Sequence, residues 1–286
     1  MDSPIKWIGG KSKSLKYLLP QIPSHEGFVE VFGGAGWLLF GKHPSKWEVL
    51  NDLDNNLINF FNIIQNNHLE FIKSFDFELV SRSKFNEFKE IYKNQSYTDN
   101  IQRAHILYYL LKAGAGASLP DGGGCGYPSS KDCSRLRLDK LPLDIMEAHK
   151  RLLKVNIECL DFKKILKKYD SEYTFFYLDP PYRNTNRSSY PVGNFTDEDY
   201  IDLFNICSNI KGKFLLSIND DVFIKSLFSS NNKFYIEQLE ILYSVNNKNK
   251  CNKHCELLIS NYPLSTQNKN TNYIEKNIIE QYELQF

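Results

Sequence analysis

Residues Tyr173-Thr174-Phe175-Phe176-Tyr177-Leu178 run straight into Asp179-Pro180-Pro181-Tyr182. The first six form a short apolar, aromatic-rich run of the kind that makes a buried strand. The two prolines fix the backbone and cannot continue a ladder of hydrogen bonds, so the chain must leave the sheet at Asp179. What remains at the strand end is a carboxylate, prolyl carbonyls and an exposed aromatic ring. That set suits a flat group carrying an amino substituent: Asp179 and the Pro180 carbonyl accept its two hydrogens while Tyr182 stacks on the ring. Taken alone, the same tetrapeptide also reads as a proline-broken strand end with a capping Asp.

Working outward, Gly27 to Phe32 reads as a second buried strand, running into Gly33-Gly34-Ala35-Gly36 and the apolar Trp37 to Phe40. That pattern is strand, tight turn, helix start. Trp47 to Asn51 is a third strand ending at Asp52, after which Leu53, Leu57, Phe60, Phe61 and Ile64 recur at helical spacing. Asp52 thus sits at a strand tip, where an acid can accept hydrogen bonds from both hydroxyls of a ribose; a turn plus a helix N-cap is the plainer reading. The glycine cluster does not match G-x-G-x-x-G, which disfavours a nicotinamide or flavin enzyme. Further strands are expected at Val155 to Leu160, Lys213 to Ile218, Tyr235 to Val245 and Glu256 to Tyr262, with helices at Phe162 to Tyr169, Thr196 to Asn209 and Val222 to Phe228. Strands alternating with helices predict an α/β fold on a parallel sheet. The last two strands are separated only by the polar Asn246 to Cys255, too short for a helical crossover, so they predict an antiparallel edge hairpin and a mixed seven-stranded sheet.

Between these halves the texture changes. Amphipathic segments at Leu69 to Phe77, Phe85 to Tyr92 and Ile101 to Lys112 precede a Gly-rich stretch over 113–128, which predicts a helical insert at 66–150 between a cofactor half (1–65) and a second half (151–286). The 286 residues, 42% hydrophobic and 24% charged, exclude a disulfide miniprotein, a fibre and wholesale disorder. Net charge is only +1, yet Arg103 to Lys168 holds 13 Lys and Arg against 7 Asp and Glu, so a polyanion would be held by a local cluster. The six cysteines are scattered and none has the paired spacing of a zinc site, which predicts free thiols, no metal and a reducing, cytoplasmic setting. No apolar run approaches the ~18 residues needed to span a bilayer.

The ordered set of motifs resembles the Dam-like (D12 class, alpha group) DNA adenine methyltransferases. The matching residues are Lys6-Trp7-Ile8-Gly9-Gly10-Lys11, Phe28 to Gly36, Asp52, Asp161-Phe162, Asp179 to Tyr182, Asn194-Phe195-Thr196, Leu216 to Asn219 and Glu256 to Tyr262. The resemblance implies a Rossmann-like S-adenosylmethionine-dependent methyltransferase fold with a helical target-recognition insert, and double-stranded DNA as partner. It also implies the cofactor's seat: Phe32, Gly33, Gly34, Ala35 and Gly36 around its methionine end, Asp52 on the ribose, Asp161 and Phe162 at the adenine. Trp7 and Lys11 close the site, and Asp179 reaches it from the other half. A bacterial or phage-encoded enzyme acting as a monomer is expected, and a partner restriction endonuclease is compatible with the class.

Methyl transfer to an amino group needs no metal and no covalent enzyme intermediate; the protein supplies alignment and electrostatics. Catalysis is expected from Asp179, Pro180, Pro181 and Tyr182, on a base flipped out of the duplex and stacked on Tyr182, with Phe195 as a second wall. Lys112, Arg135, Arg137, Lys248, Lys250 and Lys253 are candidates for phosphate or base contacts. Members acting at G-A-T-C usually carry an aromatic, asparagine-rich run where this chain has a Gly- and Ala-dominated one, so the recognition sequence stays open. The rivals are an N4-cytosine methyltransferase, more often with Ser at position 179; an RNA or protein amino methyltransferase, usually with Asn there; and a DNA-binding module without activity.

Overall fold

The computed structural model describes residues 1–7, 9–114, 136–183, 195–243 and 252–265. The seven expected strands form one sheet: β1 (Gly27–Glu30), β2 (Trp47–Asn51), β3 (Val155–Glu158), β4 (Thr174–Leu178), β5 (Lys213–Asn219), β6 (Tyr235–Tyr243) and β7 (Asn252–Ser260), in the order β3-β2-β1-β4-β5-β7-β6. The first five strands pair in parallel, and β7 runs antiparallel to both β5 and β6. The mixed α/β sheet and its edge hairpin are as the sequence predicts.

One boundary moves. β7 begins at Asn252 rather than Glu256, because β6 pairs with it residue for residue from Tyr235↔Ser260 to Tyr243↔Asn252 and carries the polar residues into the ladder. Lys253 therefore lies on β7 opposite Leu242 instead of on a turn. The tip itself, with Lys248 and Lys250, lies outside the described residues, as do Arg135 and the Gly-rich stretch from 115 onward.

Alternation along the strands divides the core between the two faces of the sheet. On β4, Phe175 and Tyr177 join one buried cluster while Phe176 and Leu178 join the other. The first cluster takes the helices Trp37–Gly41, Asn55–Asn66, His68–Lys73, Arg82–Asn94, Asn100–Ala113 and Leu141–Leu152; the second takes Phe162–Tyr169, Asp197–Asn209 and Val222–Ser229. The helices between residues 66 and 152 thus share a core with the sheet: Phe60 stacks on Tyr108 and meets Phe71 edge-on, with ring centroids 6.0 and 5.8 Å apart. Helix Leu141–Leu152 has no counterpart in the sequence reading. It opens with Pro142 in its first turn, where a missing N–H costs nothing, and buries Leu141, Ile145, Ala148 and Leu152 at helical spacing.

Candidate active site

In a parallel sheet the ligand cleft lies beyond the carboxyl ends of the strands, and three features converge there. β1 runs to Glu30 and then into the glycine turn. Gly33 passes so close to β2 that a Cβ would lie 2.7 Å from the Asn51 carbonyl, and its amide donates to that carbonyl at 2.7 Å. Gly34 and Gly36 take φ of +50° and +70°, conformations that favour glycine. Gly36 closes the turn by donating to the Gly33 carbonyl at 2.7 Å and sits behind the cleft rather than lining it. β2 ends at Asp52, and β4 ends at Asp179.

These tips surround a cleft with about 1040 Å³ of empty volume, its open mouth included. It is lined by Trp7, Lys11, Phe32, Gly33, Gly34, Ala35, Asp52, Asp161, Phe162, Asp179, Pro180, Pro181, Tyr182 and Phe195, so the two halves of the sequence-derived site share one space. Asp52 accepts hydrogen bonds from the Gly34 amide (2.7 Å) and the Asp54 amide (2.8 Å), and burial pushes its carboxyl up to about 6. Asp161 caps helix Phe162–Tyr169 through the Lys163 amide at 2.9 Å. Phe195 joins Phe32 and Phe162, with centroids 5.7 and 5.3 Å away, and rests on Tyr200 at 4.7 Å. The three rings make one aromatic wall.

The opposite wall is charged. The Lys11 ammonium lies 3.0 Å from Asp179 Oδ1 and donates to the Glu256 oxygens at 3.3 and 3.4 Å and to the Tyr182 hydroxyl. The Tyr182 hydroxyl in turn donates to Glu256 Oε1 at 2.9 Å. Ser217 donates to Asp179 Oδ1 at 3.2 Å and lies 2.8 Å from the Tyr177 hydroxyl beneath it. Burial raises the Asp179 carboxyl to about 6 despite Lys11, with Glu256 adding repulsion; burial and these two carboxylates also hold the Tyr182 phenol well above its usual range. Tyr200 reaches over to the Pro181 carbonyl and ties the proline loop to helix Asp197–Asn209.

Several lining or supporting groups had no assigned role in the sequence reading: Glu30, Trp37, Asp54, Tyr177, Ser217 and Glu256. Glu30 and Glu256 share a signal, an acid directly beside a run of apolar strand residues. Glu30 is buried, accepts from the Leu39 amide at 2.7 Å, and is raised by burial to about 8. Among the described residues, Trp37 Nε1 and Asp54 Oδ2 are buried without a hydrogen-bond partner, and both residues line the cleft. Unpaired buried polar atoms are costly, so the pair marks where a polar ligand belongs. The insert candidates lie elsewhere. Lys112 is half-buried, its ammonium 5.4 Å from the Tyr108 ring centre, and Arg137 is exposed and forked onto Asp139 at 2.9 and 2.7 Å.

The model of the D12 class N6 adenine-specific DNA methyltransferases matches residues 7–245, which takes in every residue of this site except Glu256. The chain belongs to that family. It is similar to the Type II methyltransferase M.CviBI of Paramecium bursaria Chlorella virus NC1A, 29% identical over 80% of this chain and 86% of the viral protein. M.MjaIII of Methanocaldococcus jannaschii is 26% identical over 90% of the chain and 98% of its own length. The DNA adenine methylase of Haemophilus influenzae is 25% identical over 79% and 82%. This D12 methyltransferase transfers a methyl group from a methyl donor to the N6 amino group of adenine in DNA. No helix among its described residues is long and apolar enough to cross a membrane.

Proposed function

We propose that the donor is S-adenosylmethionine and that the cleft seats both it and the flipped adenine. The convergence of the glycine turn, Asp52 and the Asp179 to Tyr182 loop on one space carries this reading. The two orphaned polar atoms support it. Trp37 Nε1 lies beside Gly10, on the Trp7 to Lys11 side of the cleft, and Asp54 lines the cleft two residues beyond Asp52. Phe32 and Phe162 offer stacking surface for the cofactor's adenine, with Asp161 at its edge, and Phe195 beside them is the second wall for the target base. When bound, the sulfonium would supply an electrophilic methyl carbon that leaves a neutral thioether behind, and the proton displaced from the amino nitrogen would pass to solvent.

The protein's part is electrostatic and orientational. The adenine amino lone pair is delocalised into the ring. Hydrogen bonds from it to Asp179 and the Pro180 carbonyl favour a pyramidal nitrogen and stabilise the positive charge that grows there. Tyr182 stacks on the base and offsets part of the few kcal/mol lost on unstacking. The helices of 66–150 then act as the recognition insert, with Lys112, Arg135, Arg137, Lys248, Lys250 and Lys253 meeting the duplex. A cytoplasmic monomer, with or without a partner nuclease, completes the reading.

The test is calorimetric titration with S-adenosylmethionine and NAD, followed by nucleoside analysis of duplex DNA incubated with enzyme and donor. Binding of the sulfonium alone and appearance of N6-methyladenine are expected. Binding of NAD alone would remove the cofactor assignment, and loss of neither binding nor transfer in Asp179→Ala would remove the site.

A further inference from the structure

Two carboxylates in the cleft share one ammonium. Asp179 and Glu256 both lie against Lys11, and all three are withdrawn from water, with side chains 17%, 4% and 4% exposed. Glu256 reaches this point through topology. β7 is the antiparallel strand, so its residue opposite the last residue of β5, in the pair Asn219↔Glu256, lies at the same carboxyl edge as Asp179.

The arrangement poses an electrostatic problem. As positive charge grows on the target nitrogen, Asp179 is meant to stabilise it, but a lysine ammonium 3.0 Å from that carboxylate already claims its negative charge. Two like charges sharing one acceptor repel strongly where water is excluded. A second carboxylate on the same ammonium removes the conflict: Lys11 is balanced by Glu256, and Asp179 keeps its charge for the nucleophile. Glu256 also accepts the Tyr182 hydroxyl, which pins the tip of the ring.

We propose that Glu256 is a positioning residue for methyl transfer, holding Lys11 as its counter-charge so that Asp179 stays free to serve the target amino group, and anchoring Tyr182 by its hydroxyl. The proposal rests on the assignment of Asp179 and Tyr182 to the target base. It concerns Glu256 alone, which touches neither donor nor base.

Glu256→Gln keeps an acceptor for Tyr182 and removes the charge, so it isolates the electrostatic role. Single-turnover methyl transfer is measured on a duplex carrying the target adenine, in wild type, E256Q, K11M and the double variant, beside the Kd for S-adenosylmethionine and the KM for DNA. The expected result for E256Q is a ~10–100-fold lower rate constant, the range of a charge-assisted contact, with Kd and KM within about 2-fold. In the K11M background the same substitution should cost about 3-fold or less, since its partner is gone. A rate for E256Q within 2-fold of wild type, or an equal loss in both backgrounds, overturns the proposal. Where E256Q does not fold, Glu256→Asp keeps the charge but withdraws it by one methylene; an intermediate loss supports the role and a wild-type rate overturns it. Full activity in Asp179→Ala would instead break the underlying site assignment, whatever Glu256 does.

Discussion

The two ends of the sheet carry buried charge clusters built in opposite proportions. At the amino end, one carboxylate faces two cations: Glu48, near the start of β2, pairs with Lys42 at 2.5 Å and with Arg151 at 2.5 and 3.0 Å, and accepts from the Ser45 amide at 3.1 Å. At the carboxyl end, two carboxylates share Lys11, their cation among the described residues. Burial pushes both Glu48 and Asp179 upward. At Glu48 the hydrogen bonds from Arg151 and Lys42 overcome it and hold the carboxyl below its ordinary value, whereas Asp179 stays at about 6. Burial alone therefore does not decide what an acid does; the ratio of charges around it does. A carboxylate with cations to spare is a structural clasp joining β2, the loop at Lys42 and helix Leu141–Leu152. One short of cations is poised to accept hydrogens from something that is not protein.

The sharpest way to break this contrast is to neutralise each acid in turn. Asp179→Asn should lower methyl transfer by roughly 10²–10³-fold, the scale for losing a preorganised charge at the reacting atom. Because Asp179 is ionised at a cost in the fold, the same change should stabilise the protein at pH 8 by about 1–3 kcal/mol. Glu48→Gln should do the reverse: unfolding in urea should show about 3–5 kcal/mol lost, since two buried cations lose their partner, while the rate constant at a permissive temperature stays near wild type. If both variants shift stability in the same direction, the two clusters are not different in kind.

Stability against pH separates them without mutation. Glu30 and Asp179 have folded values above their unfolded ones, near 8 and 6 against 4.5 and 3.8, so the folded state binds more protons in those windows. Their contribution is fully present below the unfolded value and is lost as pH rises through about 6 and then about 8. Glu48 is depressed, so its contribution is present above 4.5 and is lost as pH falls below that. Unfolding free energies measured from pH 4 to 9 should thus decline as pH rises, with Glu48 opposing that trend only near pH 4, and Glu30→Gln should flatten the decline between pH 6 and 8. The methyl-transfer rate should fall in acid with an apparent midpoint near 6, as Asp179 takes up a proton.

Sequence reading reached these regions unevenly, for physical reasons. Asp179 to Tyr182, Gly33 to Gly36 and Asp52 are punctuation: prolines, glycines and an acid where an apolar run stops, each visible in a window of a few residues. Glu30, Glu48 and Glu256 are single acids within strands, and what makes them matter is a partner far along the chain. Arg151 meets Glu48 across 103 positions, and Lys11 meets Glu256 across 245. Periodicity finds strands but not which strand is antiparallel, and only that reversal brings Glu256 to the cleft. The helices of 66–113 were visible as apolar segments, but Asn100–Ala113, expected to be amphipathic, is buried continuously from Ala104 to Leu111; that these helices share a core with the sheet depends on ring packing such as Phe60 on Tyr108, which no local pattern encodes.

A third pair sharpens the comparison by removing burial. Arg137 and Asp139 pair at the surface, forked at 2.9 and 2.7 Å, with Arg137 holding the Asp139 carboxyl below its ordinary value. Exposed pairs contribute little to stability because solvent screens both members, so Arg137→Ala and Asp139→Asn should each leave Tm within about 1–2 °C of wild type. Their effect should appear on DNA instead. If Arg137 meets a phosphate, its loss should raise KM for DNA by roughly 2–5-fold and lower the salt dependence of binding by about one counterion, equally for all sequences. Asp139→Asn should move KM the other way, since the carboxylate both repels the backbone and occupies the guanidinium. A loss confined to one target sequence would mean that Arg137 reads a base edge, and no change in either variant would place the recognition charge elsewhere in the insert.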